Sequence, residues 1–349
     1  MLKYLYVLVS DTTDYYLENA LLSMYSLKMH IPQAHISLLC DDGTHTTLTG
    51  VRKNILNFVD EVKVLQIEAV ATGSIENSFN KMQRSRWLKT SMRRHIAGDF
   101  LFIDSDTIIA DSMEELTGLN IDIGAVLDCH IVRRMLTYTK EFHQIHKKLG
   151  FDSNIKKTKY FNSGIIFCRD TSVSHSFFDK WHELWLYTNA AGYSIDQPAF
   201  SRADSLLNEI VVELDGIWNC QILTLPVMPF LNEAKIIHYF VSCSVSYDKP
   251  RDFSLADISL FEAIKETGMI PEETKKLLRN PLKAFTKGTI FYCRSKSGFL
   301  LSPTFRLLNG LYKKNIIKWF DIPAKQIITI YSRLLNLLRC PRKKRRHPV

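Results

Sequence analysis

Residues 100–109, FLFIDSDTII, place two carboxylates in the middle of an apolar run. The first four residues predict a buried β-strand that ends at Asp104-Ser105-Asp106. In an extended chain, residues i and i+2 point to the same side, so both carboxylates can share one divalent cation. Carboxylates seldom interrupt a buried run without a partner. The alternative is a strand end with solvated acids, because chance alone yields roughly one D-x-D triplet in a chain this long.

The segments on either side of this stretch alternate between short apolar runs and helical patterns. Strands are predicted at 4–9, 35–40, 62–67, 123–127, 164–168, 210–214 and 235–240, and helices at 18–29, 80–96, 131–149 and 173–188. Such alternation predicts an α/β fold with a mostly parallel central sheet. Ligands of open parallel sheets bind at the carboxyl ends of the strands, where Asp11, Asp41-Asp42 and the pair Asp104 and Asp106 stand.

The composition of the 349-residue chain is that of an ordinary globular protein. Hydrophobic residues make up 46% and charged residues 23%, which excludes general disorder, collagen and a disulfide-stapled mini-protein. The 7 cysteines stand singly without a C-x-x-C pair, which predicts reduced thiols in a reducing compartment. The N-terminal apolar run is too short for a signal peptide. The sequence contains no run of about 18 apolar residues, so a helix that spans a membrane is not expected.

Charge divides the chain into two regions of opposite sign. Residues 275–349 carry 19 Lys and Arg and 1 acid, whereas residues 1–274 carry 26 basic and 35 acidic residues. This asymmetry predicts a catalytic body at 1–274 and a separate basic region at 275–349.

The basic region contains two amphipathic helical patterns within 302–339, followed by the cluster Arg342–Arg346. An apolar stripe with basic flanks predicts peripheral attachment to an anionic membrane surface. One alternative is a helical pair that packs on the body, with a disordered basic end. Nucleic-acid binding is not expected, because the aromatic residues lie in the apolar stripe rather than among the terminal bases.

Five segments occur in an order that resembles a known family of enzymes. They are VLVSD (7–11), RSRWLKTSMRRHIAGDFLFIDSDTII (84–109), YFNSGIIFCRD (160–170), SIDQPAF (194–200) and AKIIHYF (234–240). The chain thereby resembles the retaining GT-A nucleotide-sugar glycosyltransferases of family eight, which include bacterial lipooligosaccharide galactosyltransferases and glycogenin.

The resemblance implies a GT-A, Rossmann-like fold and metal-dependent transfer of a hexose from a nucleotide-sugar, by default UDP-galactose or UDP-glucose. The acceptor would be a saccharide or a lipid-linked glycan, and the anomeric configuration would be retained. Together with the basic region, this suggests a role in lipopolysaccharide or capsule biosynthesis, in the cytoplasm on the inner face of the membrane.

The resemblance also assigns a metal site and part of the nucleotide-sugar site. Asp104, Asp106 and His238 would hold Mn²⁺ or Mg²⁺, and Asp104 and Ser105 would also contribute to donor binding. Asp11 would contact the base or ribose, and Arg86 the sugar and phosphates. Each assignment has a structural alternative: a satisfied core histidine for His238, a turn acid for Asp11 and a solvated helix face for Arg86. The neighbouring Arg84 leaves the register of the Arg assignment open.

The remaining assignments concern the sugar. Phe161–Gly164 is similar to the family's turn in which Asn162 contacts a sugar and Gly164 permits close approach. Asp196 would hold sugar hydroxyls, with Gln197 near the anomeric carbon, so this pair would be catalytic; helix capping by Asp196 is the alternative. Asp128 would also face the sugar.

The chain departs from the family pattern after His238. The usual glycine three residues later is absent, because Val241 occupies that position, and Lys249-Pro250 comes later than expected. The resemblance places Lys249 on the diphosphate if a loop insertion preserves its role, and Lys235 or another base is the alternative.

Two other functions fit parts of the sequence. A sugar nucleotidyltransferase would use a similar fold and a metal, but it needs a Gly-rich phosphate loop, and no glycine precedes Gly43. The other is a non-catalytic protein that binds a membrane or nucleic acid, in which the acids only cap strands. Hydrolysis of a nucleotide-sugar in the presence of a metal would separate these alternatives from a transferase.

Overall fold

The computed structural model describes residues 2–67, 79–130, 139–151, 159–222, 227–240 and 253–285, and ten separate positions between 304 and 330. The chain divides into two units, Met1–Arg294 and Ser295–Val349. The charge boundary at residue 274 lies within a helix, Glu272–Leu278, whose Leu278 is buried in the core of the first unit. The first compact unit therefore extends further along the chain than the change of charge.

Strands and helices alternate through the first unit, as the sequence pattern predicts. The strands are β1 (Lys3–Leu8), β2 (His35–Asp41), β3 (Glu61–Leu65), β4 (Phe100–Ile103), β5 (Thr107–Ile109), β6 (Ile123–Leu127), β7 (Phe161–Cys168), β8 (Val212–Glu213), β9 (Cys220–Gln221) and β10 (Ile236–His238). The helices are α1 (Tyr16–His30), α2 (Asp42–Thr46), α3 (Lys81–Ser91), α4 (Thr139–Lys148), α5 (Ser172–Ala190), α6 (Gln197–Leu206), α7 (Met228–Leu231), α8 (Ile258–Thr267) and α9 (Glu272–Leu278). Part of the helix predicted at 131–149 lies outside the described residues.

The main sheet has the strand order β3-β2-β1-β4-β7-β6-β8 across the described residues. Parallel pairs join β1 to β2 and β4, β2 to β3, and β6 to β8, whereas β7 is antiparallel to both of its neighbours. The prediction of an α/β fold with a mostly parallel central sheet is confirmed.

Helices cover both faces of this sheet, which explains why its central strands are apolar without interruption. Tyr4 and Tyr6 of β1 belong to the core that contains α1, whereas Leu5 belongs to the opposite core, with Leu88 of α3 and Trp181 of α5. Successive side chains of a strand point to opposite faces, so β1 contributes to both cores. Its carboxyl end, together with that of β4, opens toward the predicted site.

A small second sheet, with the order β5-β10-β9, was not predicted as such. β5 and β10 are antiparallel, and Thr107 pairs with His238. Asp104-Ser105-Asp106 therefore connects β4 in the main sheet to β5 in the small one. This connection carries Asp106 to the strand that ends at His238, 132 residues away in the sequence.

The segment Phe161–Gly164 was predicted as a turn, but it forms the first half of β7. On the β4 side the ladder is regular, and the amide of Asp104 donates to the carbonyl of Gly164 over 2.8 Å. On the β6 side the register shifts, since Leu127 pairs with Phe161 whereas Ala125 pairs with Ile166. Such an irregularity bends a strand and redirects its side chains, here those of Asn162 and Ser163.

The second unit is described only at separate positions, several of them helical. Its described large apolar side chains include six that are between 41% and 66% exposed: Leu307, Leu308, Ile316, Trp319, Ile327 and Ile330. Among the described residues of the whole chain, none of the helices is both long and apolar enough to cross a bilayer.

Candidate functional site

Three of the predicted metal ligands lie together between the two sheets. Asp104, Asp106 and His238 each direct one ligand atom to a common point, and these atoms lie within 4.8 Å of one another. The Nε2 atom of His238 is 3.2 Å from the Oδ1 atom of Asp106. Asp106 and His238 are buried, whereas Asp104 is partly exposed at the edge of a cleft.

A chain of side-chain amides orients the ring of His238. The side-chain nitrogen of Asn162 donates to Asp128 over 3.1 Å, and that of Asn219 donates to the Asn162 oxygen over 2.9 Å. Asn219 thereby keeps its own oxygen toward His238 Nδ1, at 2.9 Å. Because an amide oxygen can only accept, Nδ1 is the ring nitrogen that donates to Asn219, and Nε2 is the ring nitrogen directed at Asp106.

Gly164 leaves the space that the cluster occupies. A Cβ atom at this position would lie 2.4 Å from Cε1 of His238 and 2.9 Å from Oδ2 of Asp104. The glycine of β7 is therefore required by close packing against two candidate ligands. This differs from the close approach to a sugar that the sequence suggested.

This donor set suits a divalent cation. Carboxylate oxygens are preferred by Mg²⁺, Ca²⁺ and Mn²⁺, and an imidazole nitrogen shifts the preference toward transition metals. A metal-ligating histidine usually donates its second ring nitrogen to a carboxylate or carbonyl, as His238 does to Asn219. The residues present therefore fit Mn²⁺ well and Mg²⁺ less well.

Asp196 lies at the start of α6 in a second, adjoining cluster. Its Oδ1 atom is 3.2 Å from Arg86 Nε, its Oδ2 atom is 3.3 Å from Lys89 Nζ, and Ser163 Oγ donates to Oδ2 over 2.8 Å. Its side chain makes no capping hydrogen bond to the helix. The capping alternative for Asp196 is thus not what the structure shows, because the carboxylate is engaged by two cations and a hydroxyl.

Burial and neighbouring charges shift the pKa values of Asp196 and Asp104 in opposite directions. Burial would raise the pKa of Asp196, but Lys89 and Arg86 outweigh it and hold that pKa well below its ordinary value. For Asp104, burial raises the pKa; Lys89 counteracts this, and the nearby Asp106 adds to the rise. The charged form of Asp196 is therefore favoured by its two cations, whereas for Asp104 the cost of burial exceeds the effect of the nearby cations.

Lys89 is a site residue that the sequence analysis missed. Its ammonium group is buried and lies 3.3 Å and 3.4 Å from the two carboxylate oxygens of Asp104 and 3.2 Å from Ser163 Oγ. It follows Arg86 by three residues on α3, and residues with that spacing share a helix face. That spacing was the available signal, but the basic character of the whole segment 80–96 concealed it.

The two arginines of α3 have separate partners. Arg84 Nε donates to Asp41 Oδ2 over 2.7 Å, so this residue joins α3 to the end of β2. Arg86 reaches Asp196. The open question of register between them is answered in favour of Arg86 as the residue that faces the cluster.

A cleft of about 360 Å³ opens at the carboxyl ends of β1 and β4. Its lining residues include Tyr16, Lys81, Met82, Ser85, Arg86, Asp104, Ser105 and Asp106. Lys81 pairs with Asp11 at 2.7 Å and Asp14 at 2.6 Å. This pairing and hydrogen bonds from Thr13 hold the pKa of Asp11 well below its ordinary value. Asp11, which was predicted to contact the nucleotide, thus lies beside the cleft and is already paired with the ammonium group of Lys81.

The other predicted residues fall into three groups. Asp128 and Asn162 are hydrogen-bonded to each other and buried, on the amide chain that leads to His238. Gln197, the first residue of α6, lies with its side-chain nitrogen 3.4 Å from the carbonyl of Phe161. Lys249 lies outside the described residues. Its alternative, Lys235, forms ion pairs with Asp111 and Glu115 and does not line the cleft.

Comparison of the chain with family models gives one match, to glycosyl transferase family 8, over residues 7–244. The chain belongs to glycosyl transferase family 8. Its matched region contains every described residue of the two clusters. A comparison with curated proteins finds no match. The protein is therefore a glycosyltransferase, which excludes the nucleotidyltransferase and the non-catalytic binding protein.

Solved structures of glycosyltransferases resemble this family 8 chain. The galactosyltransferase LgtC, solved in complex with donor and acceptor sugar analogues, has a TM-score of 0.52 and 15% identity, over 79% of this chain and 99% of that one. Mouse xyloside xylosyltransferase 1 has a TM-score of 0.46 and 15% identity, over 70% and 100%. GlyE of Streptococcus pneumoniae TIGR4 has 0.44 and 16%, over 85% and 66%. The likeness to LgtC shows the GT-A fold.

Proposed function

We propose that this glycosyltransferase transfers a hexose from UDP-galactose or UDP-glucose to a saccharide or lipid-linked glycan, with Mn²⁺ as cofactor and with retention of configuration. The observation that carries the proposal is the pair of adjoining clusters at one cleft. One offers a divalent-cation donor set from Asp104, Asp106 and His238. The other holds Asp196 as an anion between Arg86 and Lys89. The likeness to the galactosyltransferase LgtC supports galactose as the donor sugar.

A bound divalent cation would supply charge neutralisation for the diphosphate leaving group. The chain's own residues provide the rest. Arg86 adds a fixed cation at the cleft, and its pKa, which burial alone would lower, is raised by Asp196, Asp104 and Asp106. We assign Asp196 to hydrogen bonds with sugar hydroxyls, which it would accept beside its present contacts with Arg86, Lys89 and Ser163. Asp128 and Asn162, which are hydrogen-bonded to each other, are also assigned to the sugar.

Retention is proposed because of the side chain at position 197. An inverting enzyme uses a carboxylate base opposite the leaving group. Gln197 stands next to Asp196 at the start of α6, and its amide is too weak a nucleophile to form a comfortable covalent intermediate. We therefore favour attack of the acceptor hydroxyl on the same face as the departing diphosphate, which takes up its proton. Gln197 then serves to orient the sugar and stabilise charge.

The test is incubation of the purified protein with a panel of UDP- and GDP-sugars, with Mn²⁺ or with EDTA. Hydrolysis or transfer that occurs with one UDP-hexose and disappears with EDTA is expected. Asp106→Asn should abolish this turnover, whereas Asp179→Asn, on the exposed side of α5, should not. Full activity in Asp106→Asn would reject the metal assignment, and an inverted product by NMR would reject retention.

We further propose that the second unit attaches the enzyme to an anionic membrane surface, where a lipid-linked acceptor is available. The six exposed apolar side chains between Leu307 and Ile330 support this proposal, as does the positive charge of the same region. Burial of such side chains in the interface and attraction of Lys and Arg to anionic lipids add together. The full chain should sediment with anionic vesicles and less with neutral ones.

A further inference from the structure

The ammonium group of Lys89 lies between the metal-binding cluster and Asp196. It contacts both oxygens of Asp104, at 3.3 Å and 3.4 Å, and one oxygen of Asp196, at 3.3 Å. The ammonium group also contacts the hydroxyl of Ser163, which contacts Asp196 as well. We propose that Lys89 is a positioning residue that links Asp104 to Asp196 and weakens the binding of the divalent cation until the donor diphosphate is present. This inference rests on the proposed function for the roles of the two carboxylates.

Lys89 is fixed in place by the packing of α3. The side chain is about 2% exposed, and its ammonium lies 5.0 Å from the ring centroid of Phe102 on β4. A buried ammonium is costly unless it is paired, and the contacts of Lys89 with the two carboxylates offset that cost. The carboxylates in turn lose rotational freedom, because one cation holds both. Side chains from three elements, α3, β4 and α6, are therefore held as a unit.

The charges of the two clusters explain the effect on the metal. Asp104, Asp106 and Asp196 contribute three negative charges, and Arg86 and Lys89 two positive ones. A divalent cation bound by Asp104 would share that carboxylate with Lys89 and be repelled by its ammonium. The donor diphosphate brings negative charge that relieves the repulsion. Lys89 thus makes binding of the ion and binding of the donor favour each other.

The direct test measures the affinity for Mn²⁺ by titration calorimetry, with and without UDP, in the full chain. Lys89→Met, which keeps the side-chain volume and removes the charge, should bind Mn²⁺ about tenfold more tightly in the absence of UDP. The gain in affinity that UDP confers should shrink by a similar factor. Lys276→Met, at an exposed position of α9, should match the wild type in both respects. Unchanged or weaker Mn²⁺ binding in Lys89→Met overturns the proposal.

A double-mutant cycle tests the link to Asp196. In the wild-type background, Asp196→Asn removes one of the two carboxylates that contact Lys89. Lys89 should then interact more strongly with Asp104, and Mn²⁺ binding should weaken several-fold. In the Lys89→Met background the same change should have a clearly smaller effect. Equal effects in both backgrounds would remove the linking role.

If Lys89→Met does not fold, Lys89→Gln keeps a hydrogen-bond donor for the buried carboxylates and carries the same expectations. The titrations do not depend on turnover. An absence of transferase activity would thus reject the proposed function without changing their outcome.

Discussion

The Nδ1 atom of His238 lies 2.9 Å from the side-chain oxygen of Asn219, and the Asn219 nitrogen is committed to Asn162. Asn219 cannot rotate its amide without breaking both contacts. It therefore determines which nitrogen of His238 is free to bind a cation. Asn219, which neither lines the cleft nor belongs to the candidate ligands, thus controls one of the three candidate ligands.

Replacement of Asn219 by leucine removes this control and should weaken Mn²⁺ binding by about 10- to 100-fold, as loss of partners behind metal ligands commonly does. The measurement is calorimetric titration with Mn²⁺ alone. Asn54→Leu is a suitable control, because Asn54 also donates from a partly buried side-chain amide but contacts the carbonyl of Gly268, away from the site. Equal Mn²⁺ affinity in Asn219→Leu and wild type would show that His238 is oriented by other contacts.

Gly164→Ala should disrupt the cation site while leaving most of the fold intact. The new methyl group would lie 2.4 Å from His238, a separation that forces the ring or the strand to move. We expect loss of measurable Mn²⁺ binding and a destabilisation of about 1–3 kcal/mol from overpacking. Gly118→Ala is the matched control, since a Cβ atom there meets no other atom within 4 Å. Wild-type Mn²⁺ affinity in Gly164→Ala would contradict this account of the glycine.

Asp204 on α6 should make stability depend on pH in a defined direction. Burial raises its pKa to about 6, the hydrogen bond from the Val211 amide opposes that rise, and Glu209 adds to it. Between about pH 4 and pH 6 the folded state therefore holds a proton that the unfolded state releases. This contribution to stability is full at low pH and is lost as the pH rises through the folded pKa.

Asp204→Asn keeps an oxygen for the Val211 amide and removes the ionisation. The variant should match the wild type near pH 4 and exceed its free energy of unfolding by about 1–2 kcal/mol at pH 7.5. Urea unfolding at both pH values measures the difference, with Asp179→Asn as the exposed control. A difference that does not change with pH would place the titration elsewhere.

Attachment to vesicles should depend on the exposed apolar residues of the second unit. The double variant Ile316→Ser and Ile327→Ser removes side chains that are 54% and 66% exposed, and it should lower partitioning into anionic vesicles about tenfold or more. Met269→Ser changes a residue of the first unit that is 64% exposed and should have no effect. Sedimentation with phosphatidylglycerol-containing vesicles gives the partition constants. Equal partitioning of the double variant and the control would reject the anchor.

Much of the fold was predictable, because strands that are buried on both faces of a parallel sheet are recognisable in the sequence as apolar runs. The runs at 4–9 and 100–103 are continuous and apolar, the run at 35–40 is largely so, and the strands lie there within a residue or two. β5 and β9 were missed, although β8 and β10, which are as short, lie within the runs predicted at 210–214 and 235–240. The pairing of β5 and β9 with β10 depends on contacts between distant segments. The turn predicted at Phe161–Gly164 was wrong, because the irregular pairing with β6 depends on contacts between distant segments.

The site shows the same division. Asp104 and Asp106 stand out because acids are conspicuous after an apolar strand. Lys89 and Asn219 do not, since their role depends on partners 15 to 107 residues away along the chain. The sequence separation between these residues and their partners does not indicate that they are in contact. The spacing of Lys89 from Arg86 indicates a shared helix face, but the contacts with Asp104 and Asp196 are visible only in the folded arrangement.

The three candidate ligands link two different sheets: Asp104 directly follows β4 of the main sheet, Asp106 directly precedes β5 of the small sheet, and His238 is the last residue of β10 in the small sheet. A cation held there would join the two sheets at one more point, beside the Asp104-Ser105-Asp106 connection and the hydrogen bonds of Asn219 to Asn162 and of Gln221 to Leu127. Ion binding should therefore raise the melting temperature, and substitutions that weaken the small sheet should first lower the affinity for the ion.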